Sequence, residues 1–185
     1  AQRVNLGIIR KDENALWSLG PHDVSIALYL LDGEPETVSA QGKSYLQPGI
    51  EDVVFCTLHF PGKVMAHLQL SWLDPHKTRR VTVVGDNRMA MFDDMEATEK
   101  IRIYDKGVDG GDFDSYGEWL ALRSGDIVIP RIDMTEPLQM ECQHFLDCIR
   151  SGASPRSDGW DGLRVVRVLD AAQRSLEAGG VPMHL

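Results

Sequence analysis

Between Glu36 and about Tyr104 the hydrophobic period is two, and the breaks between apolar runs are too short for anything but antiparallel pairing. Short runs rich in β-branched and aromatic residues occupy 37–40, 53–60, 64–72, 81–84, 89–92 and 101–104. Pro61-Gly62 and Gly85-Asp86-Asn87 separate neighbouring runs with turn chemistry. A parallel crossover needs roughly a dozen residues, so these connections join antiparallel neighbours. The expected class is α+β, with an open, mainly antiparallel β-sheet and helices packed on one face.

The flanking segments change to helical periodicity. Residues 18–31 are expected to form a helix with Pro21 in its first turn, Asp23 near its positive end, Gly33 as its stop, and Val24, Ala27, Leu28 and Leu31 on its apolar side. A second helix is expected to start with Thr135 as cap and Pro137 in the opening turn. Its apolar side is Leu138, Cys142, Phe145 and Ile149, and it ends at Gly152. Leu163, Val166, Leu169, Ala172 and Leu176 trace a third, stopped by Gly179-Gly180. Residues 105–126, rich in glycine and acid, have no sustained period and are expected to form a long surface excursion.

A two-residue Pro61-Gly62 loop would pair Phe60 with Lys63, Thr57 with Ala66 and Phe55 with Leu68. Both faces of that ribbon would then be substantially apolar. Helices cover one face, so the other is expected to meet another subunit or domain, with cover by loops as the alternative, and the expected assembly is a homo-oligomer, dimer or tetramer, through the open sheet face. The same register sends His59 and His67 to opposite faces, where they cannot share an ion, so no metal site is expected.

Composition narrows the function classes. The 185 residues fit one domain, 1–185. A formal charge of -9 leaves no basic patch able to neutralise a run of phosphates, so nucleic acid is not an expected partner. Cys56, Cys142 and Cys148 form neither a disulfide framework nor a zinc spacing. No apolar run approaches the ~20 residues of a membrane span, and residues 1–6 lack the plan of a signal peptide. The expected setting is reducing and cytoplasmic, away from membranes.

Chemistry concentrates at residues 13–23, where His22 stands at the expected helix start among Trp17, Asp23 and apolar neighbours. The positive end of a helix favours the neutral imidazole and its use as a proton acceptor, while Asp23 acts in the opposite sense. A structural cap or packing role is the alternative for His22. A second candidate is the turn Asp74-Pro75-His76-Lys77 with Arg79 and Arg80 beyond it, able to hold a phosphate or carboxylate or simply to form a solvated edge. Neither a Gly-x-Gly-x-x-Gly turn, a Gly-x-Ser-x-Gly elbow nor a phosphate-binding loop occurs, so no cofactor-binding residue is expected in this chain.

Several stretches add a family resemblance. Residues 14–31, Asn-Ala-Leu-Trp-Ser-Leu-Gly-Pro-His-Asp-Val-Ser-Ile-Ala-Leu-Tyr-Leu-Leu, are followed by Gly49-Ile-Glu-Asp52, Ser71-Trp-Leu-Asp-Pro-His-Lys77, Met91-Phe-Asp-Asp94 and Glu99-Lys-Ile-Arg-Ile-Tyr-Asp-Lys-Gly107. With the closing run from Gly162 to Ser175, they resemble the carboxy-terminal domain of the glucose-fructose oxidoreductase, inositol dehydrogenase and rhizopine-catabolism (Gfo/Idh/MocA) family. Within it the chain is most similar to the branch of UDP-N-acetylglucosamine-type 3-dehydrogenases.

The resemblance implies an amino-terminal Rossmann domain, absent from these residues, that binds NAD or NADP, and an α+β domain that binds a sugar or nucleotide-sugar and carries subunit contacts. It implies oxidation of a secondary alcohol with His22 as the catalytic group; Trp17 and Asp23 beside it, and Lys77 and Arg80 of the positive turn, are the candidate substrate-binding residues. A lysine from a Glu-Lys-Pro motif of the missing domain would share the proton transfer. Lys100 follows Glu99 but precedes Ile101, so it is not that lysine. Many relatives have an aspartate four residues before the histidine, where this chain has Ser18. The fragment alone is expected to be inactive. The competing reading is a non-catalytic oligomerisation or sugar-binding module.

Overall fold

A computed structural model describes residues 1–109 and 121–185. Strand β1 (Gln2–Val4) precedes helix α1 (Ala15–Leu31) and strands β2 (Thr37–Lys43), β3 (Val53–Phe60), β4 (Val64–Ser71), β5 (Thr78–Val84), β6 (Met89–Asp93), β7 (Ile101–Asp109) and β8 (Ala121–Val128). Helices α2 (Pro137–Ser151) and α3 (Gly159–Glu177) and strand β9 (Met183–His184) close the chain. The strands form one sheet in the order β8-β7-β6-β5-β1-β4-β3-β2-β9. Every pairing is antiparallel except that of β1 with β4. The α+β class with an open, mainly antiparallel sheet is therefore borne out.

The hairpin register differs from the expected one. The loop has three residues, Pro61–Lys63, with Gly62 at φ 73° and Lys63 at φ 68°, so Phe60 pairs with Val64, Thr57 with His67 and Phe55 with Gln69. A one-residue slip exchanges the faces of one strand relative to the other. Val54, Cys56, Leu58 and Phe60 consequently join Ala66, Leu68 and Leu70 on one face, all but Ala66 buried. The opposite face carries Phe55, Thr57, His59, Met65, His67 and Gln69. It is mixed rather than uniformly apolar. His59 and His67 share this face, contrary to the expected split, but no cluster of three or more metal-ligating side chains exists among the described residues.

The core lies between the first face and helices α1 and α3. Ala15, Leu16, Val24, Ala27 and Leu28 of α1 and Val168, Leu169, Ala171 and Ala172 of α3 are buried against Val38, Ala40, Cys56, Leu58, Leu68 and Leu70. Gly20 explains how α1 comes so close: a Cβ there would lie 3.1 Å from Leu169 and 3.3 Å from Leu16 and Leu70. Asp52 secures the loop before β3. Its buried carboxylate accepts from Tyr45 N (2.6 Å), Leu46 N (2.9 Å) and the Trp72 indole (2.6 Å). Ser175 joins α3 to the sheet edge, accepting from Ala40 N (2.9 Å) and donating to Val181 O (2.7 Å).

Other expectations change in detail. Glu136, not Thr135, caps α2 by accepting from Gln139 N, while Gly152 ends the helix in the left-handed region as expected. Helix α1 buries its apolar side, and α3 does so from Val168 onwards. On α2, Leu138, Phe145, Leu146 and Ile149 are exposed, as are Trp160, Leu163 and Val166 of α3. The stretch 105–126 is not one surface excursion, because β7 extends to Asp109 and β8 begins at Ala121. Asp105, paired with Arg88 and Arg123, supports that extension with charge rather than apolar periodicity, which is why the period of two did not reveal it. The part of the excursion at 110–120 lies outside the described residues.

Candidate functional site

His22 sits in the middle of α1, not at its start. Asn14 caps the helix, accepting from Trp17 N at 3.2 Å, and its amide donates to Glu51 (2.7 Å) and Gln173 (3.0 Å). Pro21 thus occupies the helix interior, where it removes a donor from the turn before His22. The tertiary anchoring of Asn14 overrides the usual placement of proline in a first turn. The positive helix end expected to act on His22 is therefore two turns away.

Two arginines act on His22 in its place. Its pKa is lowered from the ordinary 6.5, first by desolvation against the surrounding protein, then by the Arg3 charge and also by Arg79, with Asp23 opposing. The side chain as a whole remains exposed. Among the described residues no group hydrogen-bonds to the His22 ring, and Ser18, one turn earlier, does not reach it. The imidazole is thus biased towards its neutral form and faces solvent, the state a proton acceptor requires.

Asp23 has a different role from the one expected of it. Arg3 of β1 donates from Nε to Oδ2 and from Nη2 to Oδ1, both at 3.0 Å, and Asp23 is 2% exposed. This bidentate pair ties α1 to the strand inserted between β4 and β5, and leaves the carboxylate no open side for a substrate. Sequence reasoning missed Arg3 because strand insertion is a long-range event with no local periodic signal.

Arg80 is likewise engaged. It donates to Asp93 Oδ2 from Nε (3.0 Å) and Nη2 (2.7 Å), and with Asp93 it occupies the sheet face away from α1. Arg79 is the member of the pair on the His22 side, since it stands opposite Arg3 in the β1–β5 register. Alternation along β5 could have separated the two arginines. Only the position of β1 says which one faces the helix. Lys77 lies exposed in the turn before β5, where the Asp74 carboxylate accepts from His76 N at 3.0 Å, and the structure does not bring Lys77 into contact with His22. Trp17 is half-buried and packs against the core.

One turn and two turns beyond His22, Ile26 and Leu30 continue the same helix face. They line a groove of about 320 Å³ with Val81, Val83, Ala90, Met91, Phe92 and Ile101. A larger hollow of about 530 Å³ lies elsewhere, between α2 and the following loop, beside His144 and Arg156. There His144 Nε2 already accepts from Arg156 N at 3.1 Å, so that ring is engaged by the chain's own backbone. The described residues also offer no glycine-rich strand-to-helix cradle for a dinucleotide, because ten residues containing a single glycine separate β1 from α1.

The open, mainly antiparallel sheet with helices on one face matches the fold of the Gfo/Idh/MocA carboxy-terminal domain. Residues 9–91 match the family model described as the GFO/IDH/MocA C-terminal domain, so the resemblance read from the sequence is borne out. Among solved structures, UDP-N-acetylglucosamine 3-dehydrogenase GnnA from Acidithiobacillus ferrooxidans is similar over 96% of this chain and 53% of its own, at 23% identity and a TM-score of 0.74. The aldose-aldose oxidoreductase from Caulobacter crescentus, complexed with glycerol, matches 100% of this chain and 54% of its own at 19% identity and a TM-score of 0.74. The WlbA dehydrogenase from Bordetella pertussis, in complex with NADH and UDP-GlcNAcA, matches 94% and 47% at 20% identity and a TM-score of 0.66. The chain spans about half the length of these structures. No curated protein matches it.

Proposed function

We propose that this domain belongs to an NAD(P)-dependent dehydrogenase that oxidises a secondary alcohol of a sugar or nucleotide-sugar, with His22 accepting the hydroxyl proton. The observation that carries this reading is an exposed imidazole in a surrounding that favours its neutral form, on the first helix of this oxidoreductase-family fold. The named activities of the similar dehydrogenases supply the substrate class. NAD or NADP would accept the hydride and be held by a Rossmann domain outside this chain. Support for such a domain comes from the half-length coverage of the matched structures and from the exposed apolar side chains of α2 and early α3.

On this reading the sheet face bearing Phe55, Met65 and His67 joins subunits into a homo-oligomer. Among the described residues no helix is long and apolar enough to cross a membrane, and the three free cysteines suit a reducing cytoplasm. The test is nicotinamide reduction by the full-length protein across a panel of sugars and nucleotide-sugars. Substrate-dependent reduction of NAD or NADP is expected. Binding of a sugar with no reduction of either nucleotide under any condition would turn the reading towards a non-catalytic module. A tight, saturable complex of NAD(P) with the 185-residue chain alone would overturn the assignment of the cofactor to another domain.

A further inference from the structure

The cations on the His22 side of the sheet are not equally engaged. Arg3 is held in a bidentate bond by Asp23. Lys100 is held by Asp94, donating from Nζ to its carboxylate at 3.0 Å and to its backbone carbonyl at 2.7 Å. Arg79 reaches the same Asp94 carboxylate at 3.5 Å through one nitrogen, near the outer limit of a hydrogen bond, and its side chain is 44% exposed. Three cations therefore face two carboxylates, and Arg79 is the one with the weakest contact.

Its placement makes the surplus charge useful. Arg79 stands opposite Arg3 in the register, Arg3 bonds the residue next to His22, and the Arg79 charge acts on His22, so the two side chains share the α1 side of the sheet. On the same side, Ile26 and Leu30 of α1 and Val81 and Val83 of β5 line an apolar groove that offers a charged group no partner. An anion on this side is therefore best stabilised at Arg79, where a guanidinium can grip two oxygens in a planar fork.

We propose that Arg79 binds an anionic group, a carboxylate or a phosphate, on the sugar whose hydroxyl is presented to His22, and so selects charged over neutral sugars. The substrate part of this inference rests on the reading of His22 given above. Arg79 acts by holding the ligand and takes no part in moving the proton.

The experiment measures binding by calorimetry and, separately, nicotinamide reduction in the full-length protein. The probes are D-glucuronate, D-glucose 6-phosphate and UDP-glucose, each against D-glucose. A charge-assisted bond of the usual strength predicts that at least one anionic probe binds ~10–100-fold more tightly than glucose. That preference should fall to within about threefold in Arg79→Met and survive in part in Arg79→Lys, which keeps the charge but not the fork. Arg174→Met, which removes an equal charge from the exposed side of α3, should keep the preference. The probe whose preference depends on Arg79 identifies the anion as carboxylate, monophosphate or diphosphate. No preference for any anionic probe, or a preference unchanged in Arg79→Met, overturns the inference. If binding depends on Arg79 while no sugar is oxidised, the dehydrogenase reading fails and anion binding stands. If sugars are oxidised without regard to charge, the reverse holds.

Discussion

Replacing Arg3 by methionine should both destabilise the protein and raise the pKa of His22. Methionine fills most of the space of the arginine stem but leaves the Asp23 carboxylate, 2% exposed, without its cation. Breaking a buried pair from one side costs about 3–5 kcal/mol, and the 16% exposure of Arg3 places the effect near the lower end because some water can reach the vacated position. For a protein of this size, a loss of about 3 kcal/mol lowers Tm by about 6–12 °C. Urea unfolding followed by tryptophan fluorescence should show a lower midpoint at constant slope, since the surface exposed on unfolding does not change. The double variant Arg3→Met, Asp23→Leu should recover most of the loss, giving a coupling of about 2 kcal/mol or more between the two sites. In the same Arg3→Met protein the His22 titration, followed by NMR, should move up, because a cation that opposed its protonation has gone while the Asp23 charge remains. A loss under about 1 kcal/mol together with an unchanged His22 titration would refute the claim that this pair anchors and tunes α1.

Three further outcomes are expected. In the unaltered protein His22 should titrate below 6.5: between the folded pKa and that ordinary value the unfolded chain binds more protons, so this group's contribution to stability rises with pH through the window and its penalty is complete below the folded pKa. A titration above 6.5 by NMR would contradict the arrangement of Arg3 and Arg79. Asp52→Ala should cost about 3–6 kcal/mol in urea unfolding by orphaning two amides and an indole. These three donors outweigh burial and hold the Asp52 pKa below 3.8, so its stabilisation is full above 3.8 and fades as pH falls through the folded value, a loss that Asp52→Ala should abolish. Gly20→Val should lower stability by about 1–3 kcal/mol, because its Cβ alone meets Leu169, Leu16 and Leu70 at 3.1–3.3 Å, and an unchanged Tm would mean that the α1–α3 contact yields freely.

Much of the fold was legible because it is local. The period of two from Thr37 to Tyr104 located six strands, and the antiparallel pairing of consecutive strands holds for all but β4 and β5, which β1 separates. What escaped depends on one residue of loop length or on distant chain segments. The third loop residue, Lys63 at positive φ, reversed which β4 side chains share a face with β3. Strand β1 has three residues and entered the sheet between β4 and β5, far from any sequence neighbour that could announce it. His22 was visible as a candidate, yet the cause of its bias was misplaced. Asn14 moved the helix start upstream, and the helix-end effect gave way to Arg3 and Arg79. Asp23 and Arg80 illustrate the same limit, since a charged residue looks available until its partner is known.

The central claim is proton transfer by His22 in an NAD(P)-dependent sugar oxidation, and the turnover of His22→Ala in the full-length protein tests it most directly. With a sugar that supports nicotinamide reduction, the account predicts a fall in kcat of ~100-fold or more while sugar binding persists. An unchanged kcat in a correctly folded His22→Ala protein would contradict it.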